Sequence, residues 1–149
     1  MRKVRTVLML SLALIIVCAA VPARAAVFCS DVRVRISIGK QKEFSFTPVG
    51  KFTVEGQPGL EVGTDELTVK TVGGRVSLAV GGKTITAASI TLLSGDYSGK
   101  TDYIRLKHAS YGACTYLGNM TFDMYEGSIR AINTLPIEHY LYGVVPYEM

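Results

Sequence analysis

Apolar and polar residues alternate along most of this chain, which is the pattern of β-strands that bury one face and expose the other. The clearest run is 32–38 (VRVRISI), where the valine and isoleucine residues fall on one face. The same kind of alternation predicts further strands at 43–47, 51–55, 67–72, 75–80, 84–92, 102–108, 120–125 and 128–134.

Short turns separate several of these runs. Gly73-Gly74, Gly81-Gly82 and Glu126-Gly127 each join two alternating runs, and two-residue turns of this kind are typical of hairpins. Pro48-Val49-Gly50 is predicted as another turn. Helix signals before residue 136 are nearly absent, and no low-complexity linker divides the chain after residue 25. The pattern therefore predicts one mainly β unit.

The spacing becomes helical at the carboxyl end of the chain. Pro136 suits the first position of a helix, and the next apolar or aromatic residues at helical spacing are Ile137, Tyr140, Leu141 and Val144. We therefore predict a short amphipathic helix docked on the core. Gly143 can end this helix and Pro146 disfavours its continuation, so residues 147–149 are predicted to start a new segment.

The amino terminus has the layout of a secretory signal. Basic residues at 2, 3 and 5 precede an uncharged apolar run at 7–20, and Ala23-Arg24-Ala25 offers a small-residue cleavage site. We predict a signal peptide at 1–25, with an uncleaved membrane anchor as the alternative, and a β-rich domain at 26–149. The expected location is extracytoplasmic, either secreted, in the cell wall or on the outer face of the cytoplasmic membrane.

Charge and cysteine content narrow the possible functions. Four of the 16 Lys and Arg residues precede residue 26 and all 12 Asp and Glu residues come after it, so the remainder is neutral. A polybasic nucleic-acid surface is therefore not expected. Cys29 and Cys114 could form a disulfide in an oxidising compartment or stay as thiols. His108 and His139 lack metal-ligand spacing, so no metal site is predicted.

Glu148 is the residue of this terminal stretch that invites a catalytic interpretation. A carboxylate at the edge of a helix suits acid and base work on an extracellular polymer, and a glycosidic oxygen needs a proton donor as it leaves. Ordinary glycosidases use a second carboxylate, for which the candidates are Asp123, Glu126 and Glu138. A single carboxylate suffices when the 6-hydroxyl of muramic acid closes a 1,6-anhydro ring. From local sequence alone, Glu148 could equally be an ordinary solvated glutamate.

Tyrosines accompany this glutamate. The aromatic side chains of Tyr140, Tyr142 and Tyr147 could stack on sugar rings, or they could simply pack the helix against the sheet.

The stretch 133–149, NTLPIEHYLYGVVPYEM, closely resembles the motif of the stage II sporulation protein D family, which also includes amidase enhancers. The family motif runs N-x-L-P-[LI]-E-x-Y-L-x-G-V-V-x-x-E-M and comes after a hairpin of Y-x-G type, whose place is taken here by Tyr125-Glu-Gly-Ser-Ile129. The strand at 32–38 and the segment at 50–54 resemble the amino-terminal part of the family less specifically. The resemblance covers roughly the chain after residue 25 and implies an α+β fold for the complete protein.

The resemblance implies that Glu148, at the glutamate of the E-M pair, is the catalytic acid and base. The sporulation protein is a lytic transglycosylase that cleaves peptidoglycan between N-acetylmuramic acid and N-acetylglucosamine and prefers glycan strands stripped of stem peptides. The implied partners are peptidoglycan glycan strands and a cell-wall amidase such as stage II sporulation protein P, with no cofactor. Pro136 and Gly143 are interpreted as delimiting the helix, and Tyr140 and Leu141 as anchoring it.

One departure from the family lies immediately after the E-M pair. Family members continue into a helix of A-L-K-A-Q-A-x-A-A-R-T-Y type, which is not part of this sequence. We therefore expect the chain to be the amino-terminal portion of a larger protein and to be inactive alone. The alternatives are a noncatalytic amidase enhancer or wall-binding module, and a purely structural β domain.

Overall fold

A computed structural model describes residues 30–97, 101–108 and 112–148, with the backbone alone for residues 108 and 144–148. Twelve strands and one helix lie in this part of the chain. In chain order they are β1 (Asp31–Ile36), β2 (Glu43–Val49), β3 (Phe52–Val54), β4 (Glu61–Val62), β5 (Leu67–Val72), β6 (Arg75–Val80), β7 (Lys83–Ala87), β8 (Ser89–Ser94), β9 (Tyr103–His108), β10 (Gly112–Leu117), β11 (Asn119–Tyr125), β12 (Ser128–Pro136) and α1 (Ile137–Glu148).

The strands form two six-stranded antiparallel sheets. Sheet A has the order β1-β12-β11-β8-β3-β4, and sheet B has the order β10-β9-β2-β5-β6-β7. The two sheets share one hydrophobic core, in which the ring of Phe46 on β2 stacks on the ring of Phe122 on β11 with their centroids 4.8 Å apart. The predicted mainly β fold is therefore confirmed.

Most predicted strands and hairpins are present. β5 and β6 have the predicted bounds, and the turns at Gly73-Gly74, Gly81-Gly82 and Glu126-Gly127 join consecutive antiparallel strands as expected. Both residues of the first turn have positive φ, 57° and 75°, which is the conformation that a tight hairpin turn of this hand requires and glycine adopts without strain.

Three strand predictions need correction. The run 84–92 is two strands, β7 and β8, which are separated at Ala88 and belong to different sheets. The strands β4 and β10 were not predicted. Pro48 lies inside β2 rather than in a turn, at a position opposite Ile104 of β9. It is beyond the pairing of β2 with β5, which covers only Glu43 to Phe46.

The end of the helix was also predicted wrongly. α1 begins at Ile137, one residue after the predicted start, and continues through Gly143 and Pro146 to Glu148. A glycine that ends a helix usually takes a left-handed conformation, and Gly143 does not have a positive φ. Pro146 has no N–H group, so the carbonyl four residues earlier lacks its usual helical hydrogen bond. The helix nevertheless continues through this position.

Some predictions concern residues outside the described part of the chain. These are the signal peptide at 1–25, residue Cys29 and the terminal Met149. Cys114 is a free, half-buried cysteine on β10. Within the described ranges, no helix is long and apolar enough to cross a membrane.

Candidate functional site at the terminal helix

The position of α1 is set by β12, the nine-residue strand that precedes it. β12 pairs with β1 on one side and β11 on the other, and its pairing with β1 extends to Pro136 opposite Asp31. The amide of Ile137 then donates a hydrogen bond to the carbonyl oxygen of Ser30 at 2.8 Å. Because the sheet holds the chain up to the first helical residue, the start of α1 is fixed relative to sheet A.

Asn133, the first residue of the family-like motif, holds β12 in place from inside the protein. It is 5% exposed, and its Nδ2 donates to the carbonyl oxygens of Leu117 at 2.7 Å and Asn119 at 3.0 Å. Between these two carbonyls lies Gly118, with φ of 78°, where an added Cβ would lie 2.5 Å from the carbonyl oxygen of Thr134. Asn133 therefore clamps the β10–β11 bend against β12, a structural role that sequence analysis did not assign.

We expect Asn133→Ala to lower the free energy of unfolding by about 2 kcal/mol, because it removes two hydrogen bonds made by a buried side chain. Chemical denaturation monitored by circular dichroism measures this difference. Thr134→Ala, at the next and half-buried position, is the control and should cost less than about 1 kcal/mol. Equal losses of unfolding free energy in the two variants would show that Asn133 has no special role in holding β12.

The first turn of α1 carries polar side chains with different surroundings. Glu138 is exposed, and a negative charge in this turn is favourable near the positive end of the helix dipole. His139 is half-buried, and its Nδ1 is a buried atom without a hydrogen-bond partner among the described residues. Tyr140 is half-buried, which agrees with its interpretation as an anchor of the helix.

The base of the helix is also bounded by the segment after β8. Tyr97 is half-buried in this segment, close to Asp31 on β1. Burial raises the pKa of the Tyr97 hydroxyl, and the nearby negative charge of Asp31 raises it further. Asp31 is the residue paired with Pro136, so Tyr97 lies beside the strand pair from which α1 emerges.

The apolar stripe of α1 is largely exposed, contrary to the prediction that the helix docks through it. Two members of the stripe are exposed, Ile137 at 39% and Leu141 at 46%, whereas Tyr140 is half-buried. Tyr142, which is not part of the stripe, is 79% exposed. Leu141 therefore does not anchor the helix as predicted. The physical reason is that α1 leaves the sheet at the end of β12 and packs against only a small part of β1 and β12.

Glu148 is the last residue of α1. It lies seven positions after Leu141, or about two helical turns, so position 148 is on the same side of the helix as the exposed stripe. At a rise of about 1.5 Å per residue, it is roughly 16 Å along the axis from Ile137. The side chains of Tyr147 and Glu148 lie outside the described part of the structure.

The other carboxylates considered for catalysis do not gather at the end of α1. Asp123 accepts two hydrogen bonds from Arg130, from Nε at 2.8 Å and Nη2 at 2.6 Å, and Glu126 lies in the β11–β12 turn with φ of 49°. This turn is at the opposite end of β12 from the helix, at a distance of roughly 25 Å for a nine-residue strand. Glu138 is on α1 but in its first turn.

Comparison with known proteins adds no relative. No protein-family model, no curated protein and no solved structure matches the chain.

Among the described residues, no three potential metal ligands from His, Cys, Asp and Glu come together. His108 ends β9 and His139 lies on α1, on separate elements.

The features of the site are therefore a fixed helix start, a half-buried tyrosine, an exposed apolar stripe and a carboxylate residue at the helix end.

Proposed function

We propose that this chain belongs to an extracytoplasmic peptidoglycan lytic transglycosylase related to the stage II sporulation protein D family, with Glu148 as its acid and base. The supporting observation is that the motif covers the last four residues of β12 and the described length of α1. Its asparagine is buried and hydrogen-bonded, its proline ends β12, and Glu148 lies on the helix that follows.

In the proposed mechanism, Glu148 first donates its proton to the oxygen of the glycosidic bond between N-acetylmuramic acid and N-acetylglucosamine. The bond between that oxygen and the muramic C1 breaks, and the sugar becomes cation-like. The carboxylate then takes the proton of the muramic 6-hydroxyl, whose oxygen closes on C1 to form a 1,6-anhydro ring. No water is consumed, so the reaction needs no second carboxylate.

Further protein surface is part of this proposal. A general acid must be protonated at the start of the reaction, and apolar surroundings favour the protonated form of a carboxyl group. The described part of the stripe on the same side of α1, Ile137 and Leu141, is instead open to solvent. We therefore propose that additional residues cover this stripe in the active enzyme, and that the 149-residue chain alone does not clear purified sacculi.

The products distinguish this function from hydrolysis. The complete protein should convert glycan strands without stem peptides into fragments that end in 1,6-anhydro-N-acetylmuramic acid. In water enriched in ¹⁸O, mass spectrometry should find no label at the new ends, since no water adds. Labelled reducing ends would show a hydrolase and would contradict the proposal.

A second candidate function is suggested by the exposed stripe itself. Exposed apolar side chains that lie together are typical of protein contact surfaces, and Ile137 and Leu141, four positions apart on the same side of α1, are both exposed. In this alternative the chain is a noncatalytic amidase enhancer that contacts a cell-wall amidase through the helix. Stimulation of the amidase would then persist in Glu148→Gln.

Under the enhancer hypothesis, Leu141→Lys should lower stimulation of the amidase about tenfold, because it places a charge in an apolar contact. Amidase activity on purified peptidoglycan measures this, at several concentrations of the variant. Val72→Lys is the matched control, since Val72 is 53% exposed and lies on the β5–β6 hairpin of sheet B. Equal stimulation by both variants would exclude the helix as the contact surface.

A further inference from the structure

A cleft of about 380 Å³ lies at the opposite end of β12 from the helix. Its walls are the segment 35–40, at the end of β1, and the β11–β12 turn with the first residues of β12. The side chains that matter for its chemistry are those of Arg35, Ser37, Lys40, Tyr125, Ser128 and Arg130. The cleft is thus basic, rich in hydroxyl groups and roughly 25 Å from the start of α1.

Two arginines are stacked on one tyrosine in this cleft. The guanidinium carbons of Arg35 and Arg130 each lie 4.9 Å from the centroid of the Tyr125 ring. The three residues come from adjacent strands, β1, β12 and β11. Stacking on an aromatic ring restricts a guanidinium without using its N–H donors, so the donors remain available for a ligand.

The two arginines differ in their ionic partners. Arg130 makes a bidentate pair with Asp123, so its donors on that edge are occupied. Lys40 has a loose pair with Glu126, at 3.9 Å between Nζ and Oε2, with both side chains mostly exposed. Arg35 forms no ion pair with any acidic residue in the described part of the chain. Glu126 also lines the cleft, but its carboxylate is the loose partner of Lys40. Arg35 is therefore a positioned cation without an ion-pair partner among the described residues.

We propose that this cleft binds the carboxylate of an acidic sugar, with Arg35 as its main ligand. A guanidinium binds a carboxylate through two parallel hydrogen bonds, and Lys40 adds a second positive charge at the rim. The hydroxyl groups of Ser37 and Ser128 supply partners suited to sugar hydroxyls. The geometry favours a sugar acid over a simple anion because the charged group is bordered by neutral polar groups.

The identity of the sugar rests on the proposed function. N-acetylmuramic acid differs from N-acetylglucosamine by a lactyl ether that ends in a carboxylate. A glycan chain bound at both this cleft and α1 would lie along β12. The cleft would then hold a part of the strand several sugars away from the bond that is cut.

The test is the binding of N-acetylmuramic acid to the full chain, monitored by NMR chemical shifts during titration. Arg35→Ala should weaken binding at least tenfold, and Arg35→Lys should restore only part of it, because lysine keeps the charge but loses the two-pronged geometry. Arg33→Ala is the matched control, since Arg33 is an exposed arginine on the same strand that does not line the cleft. It should bind like the unmodified chain.

Three results would overturn the proposal. One is equal weakening by Arg33→Ala and Arg35→Ala, which would indicate only a general charge effect. Another is equally tight binding of N-acetylglucosamine, and the third is equally tight binding of inorganic phosphate. The assay involves no turnover, so these results are independent of Glu148. If the unmodified protein formed anhydro products but did not bind N-acetylmuramic acid, the cleft would be rejected and the proposed function would stand.

Discussion

Glu148→Gln should lower the rate of anhydro-sugar formation by the complete protein by roughly 10²- to 10⁴-fold, the usual contribution of a general acid and base. Glutamine keeps the size of the side chain but can neither donate the proton to the leaving oxygen nor accept the proton of the 6-hydroxyl. Both steps of the proposed reaction depend on this residue. Binding of glycan strands should change little, so the loss should fall on kcat rather than KM.

The chain contains a matched control for this variant. Glu138→Gln makes the same chemical change ten positions earlier on the same helix, at an exposed first-turn residue. It should retain nearly full activity. Thermal denaturation should give similar midpoints for both variants. If Glu148→Gln kept more than about a tenth of the activity, its role as general acid would be rejected. Equal losses in the two variants would indicate an effect on the helix.

Many strands could be predicted because their more buried and more exposed positions alternate, as in β1, β2, β3 and β8. The bounds predicted for β5 and β6 from alternation are the bounds of these strands in the structure. Alternation says nothing about which strands pair, however. β3 pairs with β8 and β2 pairs with β9, partners far apart in the chain, so the division into two sheets was not predictable from local pattern.

The break at Ala88 illustrates the same limit. Apolar and polar residues continue on both sides of it, so the sequence predicts one strand, whereas the chain passes there from sheet B to sheet A. The residues around Ala88 do not indicate this passage between sheets, because alanine fits either an extended strand or a bend. The missed strand β4 has only two residues, which is too short for any alternation to be recognised.

The terminal helix was predicted from its spacing, but its environment was not. Helical spacing identifies which residues share a face, and it does not say whether another surface covers that face. Tyr140 is half-buried while Leu141, the next residue, is 46% exposed. The roles of Asn133 and Arg35 were also missed, because both depend on contacts between strands that are brought together only by the fold.

The stability of the fold should depend strongly on Asp102, a residue that sequence analysis did not mark. Asp102 is 2% exposed and lies just before β9. Its carboxylate accepts hydrogen bonds from the amides of Lys51 at 3.0 Å and Asp96 at 2.6 Å. It also accepts hydrogen bonds from the hydroxyls of Thr101 at 3.0 Å and Ser94 at 3.4 Å. This one side chain therefore connects the start of β3 with the end of β8.

The hydrogen bonds determine the charge state of this carboxylate. Burial alone would raise the pKa of Asp102, but the four hydrogen bonds, those from the two backbone amides foremost, outweigh it and lower the pKa below its ordinary value of 3.8. A lowered pKa means that folding favours the ionised form. Its contribution to stability is therefore fully present above the ordinary value and is lost as the pH falls through the lowered one.

Asp102→Ala should lower the free energy of unfolding by about 3 to 5 kcal/mol at neutral pH, because it removes the charged acceptor of the hydrogen bonds from the amides of Lys51 and Asp96. Asp102→Asn should also destabilise, since an amide group places N–H donors against the donors already present. Asp65→Asn, at an exposed loop position, is the control and should change stability by less than about 0.5 kcal/mol.

Acid should reduce the difference between Asp102→Asn and the unmodified chain. Urea denaturation from about pH 7 to about pH 2 measures the difference in unfolding free energy between the two proteins. This difference should be constant near neutral pH and should shrink only below the ordinary pKa of the carboxyl group. Protonation turns one oxygen of the Asp102 carboxylate into a hydroxyl group. That oxygen is then a poor acceptor for the amides that donate to it. A gap that stayed constant over the whole range would mean that the ionised carboxylate is not what stabilises this junction.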